Sequence, residues 1–147
     1  MRLDARSLCL VASGAQLLLA IACGSTPVSA PATSERPVAF IDEGSTTRSA
    51  YTGTTPKVEA RTSGDRRLVI VYQGQQRTGG FSVHVDTITI DGGTLRVRAT
   101  FATPPAGAFV TEALTSPSQT VEVPLAFSEV VLLDQDGRER SRSAGLP

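Results

Sequence analysis

The chain has no tryptophan, one methionine, one histidine and two cysteines in 147 residues, and aromatics make up only 5% of it. Each shortage removes a class of function. A lone histidine without clustered acids or thiols cannot assemble a metal centre, and it leaves a nucleophile without a positioned base. Two tyrosines and no tryptophan make a poor stacking platform for sugars. An excess of basic charge is missing too: 14 Lys and Arg balance 14 Asp and Glu. A surface that neutralises phosphates needs that excess, so nucleic acid is not an expected partner. Apolar runs are short. The best of them, Leu8 to Ala22, is broken by Ser13, Gly14 and Gln16 and does not make a membrane span. What remains is material for one small domain that needs neither metal nor disulfide to fold.

The N-terminus carries an address. Arg2 and Arg6 precede the apolar stretch from Leu8 to Ala22, in the layout of a secretory signal. It ends Leu19-Ala20-Ile21-Ala22-Cys23-Gly24-Ser25, which resembles the lipobox of bacterial lipoproteins. That resemblance implies a signal peptide over 1–22, removal before Cys23, and lipidation of Cys23 as the membrane-lipid anchor. Two or more acyl chains would hold the chain stably to a bilayer. Cleavage after Val28-Ser29-Ala30 is the competing reading, opposed by Pro31 directly behind it. A Cys9–Cys23 disulfide is weaker still, because Cys9 lies in the part to be discarded. Gly24 after the cysteine is no acidic retention signal, so an outer membrane is favoured where the cell has one. From Gly24 to Pro37 the sequence is rich in Pro, Ser, Thr and Ala without apolar period, and reads as a flexible tether. Its expected reach is on the order of 20 Å.

From Val38 to Leu133 the pattern is that of an all-β domain, a small antiparallel sandwich or barrel-like fold. No stretch of ten residues has helical spacing, whereas short β-branched runs with period two recur. Val38–Ile41 reads as a first strand, Asp42–Thr47 as turn, Lys57–Thr62 as a further weak strand. Arg67–Gln73 is almost continuously apolar and is expected to be a central strand buried on both faces. Phe81, Val83 and Val85 share one parity and Ile88 and Ile90 the other, which requires a β-bulge near Asp86-Thr87. Asp91-Gly92-Gly93 is hairpin chemistry, and Leu95, Val97, Ala99 and Phe101 alternate down the return strand. Pro104-Pro105-Ala106-Gly107 breaks the sheet, Phe109–Leu114 is ambiguous, Thr120–Val123 and Phe127–Leu133 are the last strands, and the polar tail over 134–147 should fray.

Within this pattern, Tyr72-Gln73-Gly74-Gln75-Gln76-Arg77-Thr78-Gly79-Gly80-Phe81-Ser82-Val83, the return strand Gly92 to Val97, Thr103-Pro104-Pro105, Thr115-Ser116-Pro117 and Val121 to Pro124 stand in a distinctive order. That order resembles the C-terminal domain of the PrcB protease-complex subunit family, with Phe81 in place of a tyrosine, over about residues 67–124. The resemblance implies a non-catalytic, lipid-anchored accessory or stabilising subunit that binds an extracytoplasmic protease or another envelope protein, and a location in the bacterial cell envelope. Thr78-Gly79-Gly80 asks for a sharp turn with positive φ. It reads either as a hairpin-entry turn or as an exposed tip, in which Arg77, Thr78, Gly79, Gly80 and Phe81 meet a partner with Arg77 and Phe81 as anchors. A Thr-Gly-aromatic loop also occurs in chagasin-like inhibitors of papain-type cysteine proteases, but the other two signature loops of that family are not evident. A passive structural lipoprotein is the third reading.

Other constellations are bland. Ser82, His84 and Asp86 alternate along one strand, which sets neighbouring side chains roughly 6.5–7 Å apart and parallel. A catalytic set needs them converging at hydrogen-bond distance. Asp134-Gln135-Asp136-Gly137 resembles a calcium-loop fragment without the later acid, and reads as a strand-terminating turn. Arg96 and Arg98 belong to an outward face. The sequence therefore implies no enzyme, no cofactor and no metal.

Overall fold

The computed structural model describes residues 34–147. The expected signal peptide, Cys23 and the tether as far as residue 33 lie outside the described residues. Every regular element described is a strand: β1 Arg36–Pro37, β2 Ile41–Thr46, β3 Lys57–Ser63, β4 Arg66–Tyr72, β5 Ser82–Asp91, β6 Thr94–Ala102, β7 Ser118–Val123, β8 Phe127–Leu133 and β9 Glu139–Leu146. They form two sheets, one ordered β1-β5-β6-β8-β9 and the other β2-β7-β4-β3. The inward faces meet in a single valine-rich core in which Val58, Val69, Val71, Leu95, Val97, Val121, Val130 and Leu132 are fully buried. This is the sandwich that the alternation of the strands requires.

The β5–β6 hairpin follows the expected register. Ile90 pairs with Leu95 and Val83 with Phe101, and the pairing shifts between Val85 and Thr87. That bulge returns Ile88 and Ile90 to the face already occupied by Val83 and Val85, and all four are buried. The two-residue turn is Gly92-Gly93 with φ of 54° and 90°, the left-handed geometry that matches the twist of a tight hairpin.

Five expectations need correction. Val38–Phe40 is not a strand: β1 ends at Pro37, and the run crosses from one sheet to the other, from buried Val38 to exposed Ile41 at the start of β2. The turn-rich segment after it is strand β2, bulged between Asp42 and Gly44 where the Gly44 N–H binds the Asp42 carboxylate at 2.9 Å. Central β4 buries Val69 and Val71, but Leu68 and Ile70 on its other face are only half-buried, because nothing packs fully over the outside of this sheet. Finally, the polar tail is strand β9, antiparallel to β8. The sandwich is also not wholly antiparallel. After β6 the chain passes through β7 in the opposite sheet before returning as β8, so β6 and β8 run parallel.

This winding gives the sandwich two unlike poles. The segment Ser34–Glu35 before β1, the β3–β4 and β5–β6 turns, the β7–β8 connection and Pro147 lie at one pole: Ser34 Oγ donates to Asp91 at 2.6 Å, and Arg67 donates to the Pro147 carbonyl. The connections 47–56, 73–81, 103–117 and 134–138 gather at the other.

Candidate functional site

The three longest connections at that second pole are tied into one body by backbone hydrogen bonds. Gln76 and Thr115 exchange N–H···O bonds at 2.8 and 2.9 Å, the Gly79 N–H donates to Thr111 O at 2.9 Å, and the Gln75 N–H donates to Gly53 O at 2.7 Å. Ser116 is the clamp. Its N–H donates to Thr47 O, its carbonyl accepts from the Ser49 N–H, and its buried hydroxyl donates to Tyr51 O at 2.6 Å. Loops anchored this densely present fixed side chains, which is what a recognition surface needs.

Within this body the expected tip divides. Arg77 is exposed, opposite Leu114 across the Gln76–Thr115 bridge. Thr78 is half-buried and contributes its carbonyl, which accepts the Thr115 hydroxyl at 2.9 Å. Gly79 is buried against Thr111. Gly80 has φ 86°, and a Cβ there would lie 2.9 Å from Pro104 Cβ, so the turn is fixed to the loop across from it both by conformation and by contact. Phe81 is half-buried and lines the same groove as Phe101. The outward apolar residues of the pole are instead Phe109, fully exposed, and Leu114, 65% exposed. Sequence reading missed them because 109–114 has no period. An apolar residue in an aperiodic, proline-led loop has no face to bury, and that was the available signal.

Phe81 and Phe101 share an open groove of about 330 Å³ with Gln73, Gln76, Asp134, Gln135 and Arg140. Gln73 is 5% exposed; its amide N–H donates to Ala102 O at 3.0 Å. Its Oε1 has no hydrogen-bond partner among the described residues. Asp134 is buried, and one carboxylate oxygen accepts the backbone N–H groups of Asp136 and Arg138 at 3.0 and 2.8 Å, while the other stands 3.6 Å from Arg140. Asp134 thus builds the β8–β9 turn, as the sequence implies for this stretch.

Ser82, His84 and Asp86 are all exposed on the outer side of β5, and Asp86 accepts the Thr100 hydroxyl at 2.8 Å. Arg96 reaches Glu35 at 3.1 Å. Neither set converges on a common point.

No curated protein and no solved structure matches the chain. The segment that spans β4, the interlocked 73–81 and 103–117 connections, the β5–β6 hairpin and β7 does match a family: residues 67–124 fit the family model described as PrcB C-terminal.

Proposed function

We propose that this chain is a non-catalytic envelope lipoprotein, anchored through acylated Cys23, that docks onto a protein partner as an accessory or stabilising subunit of an extracytoplasmic protease complex. The observation that carries this reading is the PrcB C-terminal match over 67–124, which contains two of the three interlocked connections of the loop pole. The geometry supports it. The described chain starts at the opposite pole, beside Asp91, so an anchor ahead of Ser34 leaves the loop pole free to face a partner. Arg77 and Phe109 present there the arginine and aromatic groups that favour protein contacts, beside the exposed Leu114.

The test is purification of the tagged protein from cells after mild cross-linking, with labelled palmitate fed in parallel. An extracytoplasmic protease recovered in near-stoichiometric yield, together with label that disappears in Cys23→Ala, is the expected result. Palmitate on the Cys23→Ala chain would overturn the anchor. Recovery of the protein alone, under conditions where a known membrane complex survives, would overturn the accessory role. Slowed papain-type hydrolysis at low molar ratio would put an inhibitor in its place.

A further inference from the structure

We infer that the 103–117 connection presents Phe109 as a substrate-like residue to the active-site cleft of an endopeptidase whose specificity pocket accepts an aromatic side chain. This inference rests on the docking role proposed above and names the contact through which the protease is held. Three features of the connection carry it. The Phe109 ring is fully exposed, in a domain whose other phenylalanines are all at least partly buried. The backbone around it is extended: between the turn at Pro105–Ala108 and the bend at Ala113 the chain neither turns nor bends. And among the described residues neither the N–H nor the carbonyl of Phe109 bonds to another backbone group. A pocket that takes only a side chain makes no use of the main chain beside it. The substrate cleft of an endopeptidase uses both, pairing with an extended main chain and seating one side chain in a pocket.

The segment is held on both sides of the ring. Ahead of it the Ala108 N–H donates to Pro105 O at 3.1 Å, in a turn where Gly107 takes φ 79°. Behind it Val110 packs on Gly80, where an added Cβ would stand 3.1 Å from Val110 Cγ1, and Thr111 O accepts the Gly79 N–H at 2.9 Å. A ring carried on a backbone fixed in this way loses little conformational freedom on binding, which is how preorganised loops gain affinity. The residues that lead up to it, Ala106, Gly107 and Ala108, are small and exposed and leave the approach open. The same anchors make the segment a plug rather than a substrate. Were the Phe109–Val110 amide hydrolysed, the half that carries the new amine would stay tied to Gly79 through Thr111, so the cut ends would not leave the cleft as free peptides.

The test incubates the full chain with chymotrypsin, which seats aromatic side chains in an apolar slot, and with trypsin, whose pocket holds an aspartate for cationic ones. The expected result is competitive inhibition of chymotrypsin toward a small chromogenic substrate, with trypsin left at its full rate. Phe109→Ala should weaken the inhibition roughly 30-fold or more, the scale of a central interface anchor. Phe109→Arg should move the inhibition from chymotrypsin to trypsin. Residue 109 lies outside the core, so both variants should unfold at the native temperature, and a heating scan checks this. Chymotrypsin that stays uninhibited overturns the inference, as does inhibition that Phe109→Ala leaves unchanged. So does scission at Phe109–Val110 as fast as in a free peptide of residues 103–117. If a protease is captured from cells in undiminished yield by the Phe109→Ala chain, the inference is wrong and the docking role stands. If chymotrypsin is inhibited as described and no partner is captured, the fit of Phe109 to a protease cleft stands and the accessory role falls.

Discussion

Glu59 shows how one surface carboxylate organises an edge of the sandwich. It accepts hydrogen bonds from Lys57 at 2.6 Å and Arg61 at 2.7 Å, its neighbours at i−2 and i+2 on β3, and from the Tyr72 hydroxyl at 3.3 Å across to β4. The Lys57 hydrogen bond is the main cause that holds its pKa below the ordinary value of 4.5, with partial burial opposing and Arg61 adding to the depression. A carboxyl whose folded pKa is depressed contributes stability that is complete above the unfolded value and is lost as pH falls through the folded one. Glu59→Gln should therefore lower the urea midpoint at pH about 6, and the gap to the native chain should close as pH falls toward about 3. A gap of constant size across that range would show that Glu59 acts through packing rather than charge. The same scale explains what the sequence could say about the site. Arg77 was legible because a charged residue beside a glycine turn has nowhere to go but outward, whereas Phe81 looks the same whether it caps a core or meets a partner. Only the parity it shares with Val83 and Val85 favours the inward choice.

Among the elements, β9 has the weakest signature and a large structural role. Its sequence, Glu-Arg-Ser-Arg-Ser-Ala-Gly-Leu, has almost no apolar face, which is why it reads as a tail. It pairs with the full length of β8, however, and β8 buries Val130, Val131 and Leu132. It also lies against the β3 edge, where the Ser141 hydroxyl accepts the Val58 N–H at 3.3 Å. Termination after Arg138 would thus strip β8 of one neighbour and open the side of the sandwich at β3, leaving backbone groups and valine surface to water. The truncated chain is expected to lose its cooperative unfolding transition and to aggregate, measured by circular dichroism on heating and by sedimentation. A soluble truncated chain with an unchanged transition would mean that β9 merely rests on a complete fold. The hairpin makes the contrast clear. Alternation, a glycine pair and one parity break together specify β5, β6, turn and bulge, because each device leaves its own mark on the sequence. Pairing that depends on backbone alone, as in β2 and β9, leaves none, and the path of Val38–Ile41 between sheets is set by which strands it must join rather than by its apolar composition.

At the scale of the whole molecule, the parallel pairing of β6 and β8 has a functional consequence, since it sends the long connections to one pole and Pro147 to the other. Ser34, the first described residue, and Pro147 share the pole of the β5–β6 turn, and the interlocked connections with Arg77, Phe109 and Leu114 occupy the opposite end of strands up to ten residues long. Ten residues of strand span about 33 Å, so a partner that meets one pole end-on stands clear of the other. A photo-reactive phenylalanine derivative at position 109 should therefore cross-link to a protein partner in cells, while the same derivative at Asp65, in the exposed β3–β4 turn at the terminal pole, should not. Both positions lie outside the core, so neither substitution is expected to move stability by more than about 0.5 kcal/mol, and thermal unfolding checks that directly. Cross-links at position 65 to the same protein would mean that the partner wraps the domain. Lipid adducts at position 109 would mean that the loop pole faces the bilayer, and the polarity proposed here would have to be reversed.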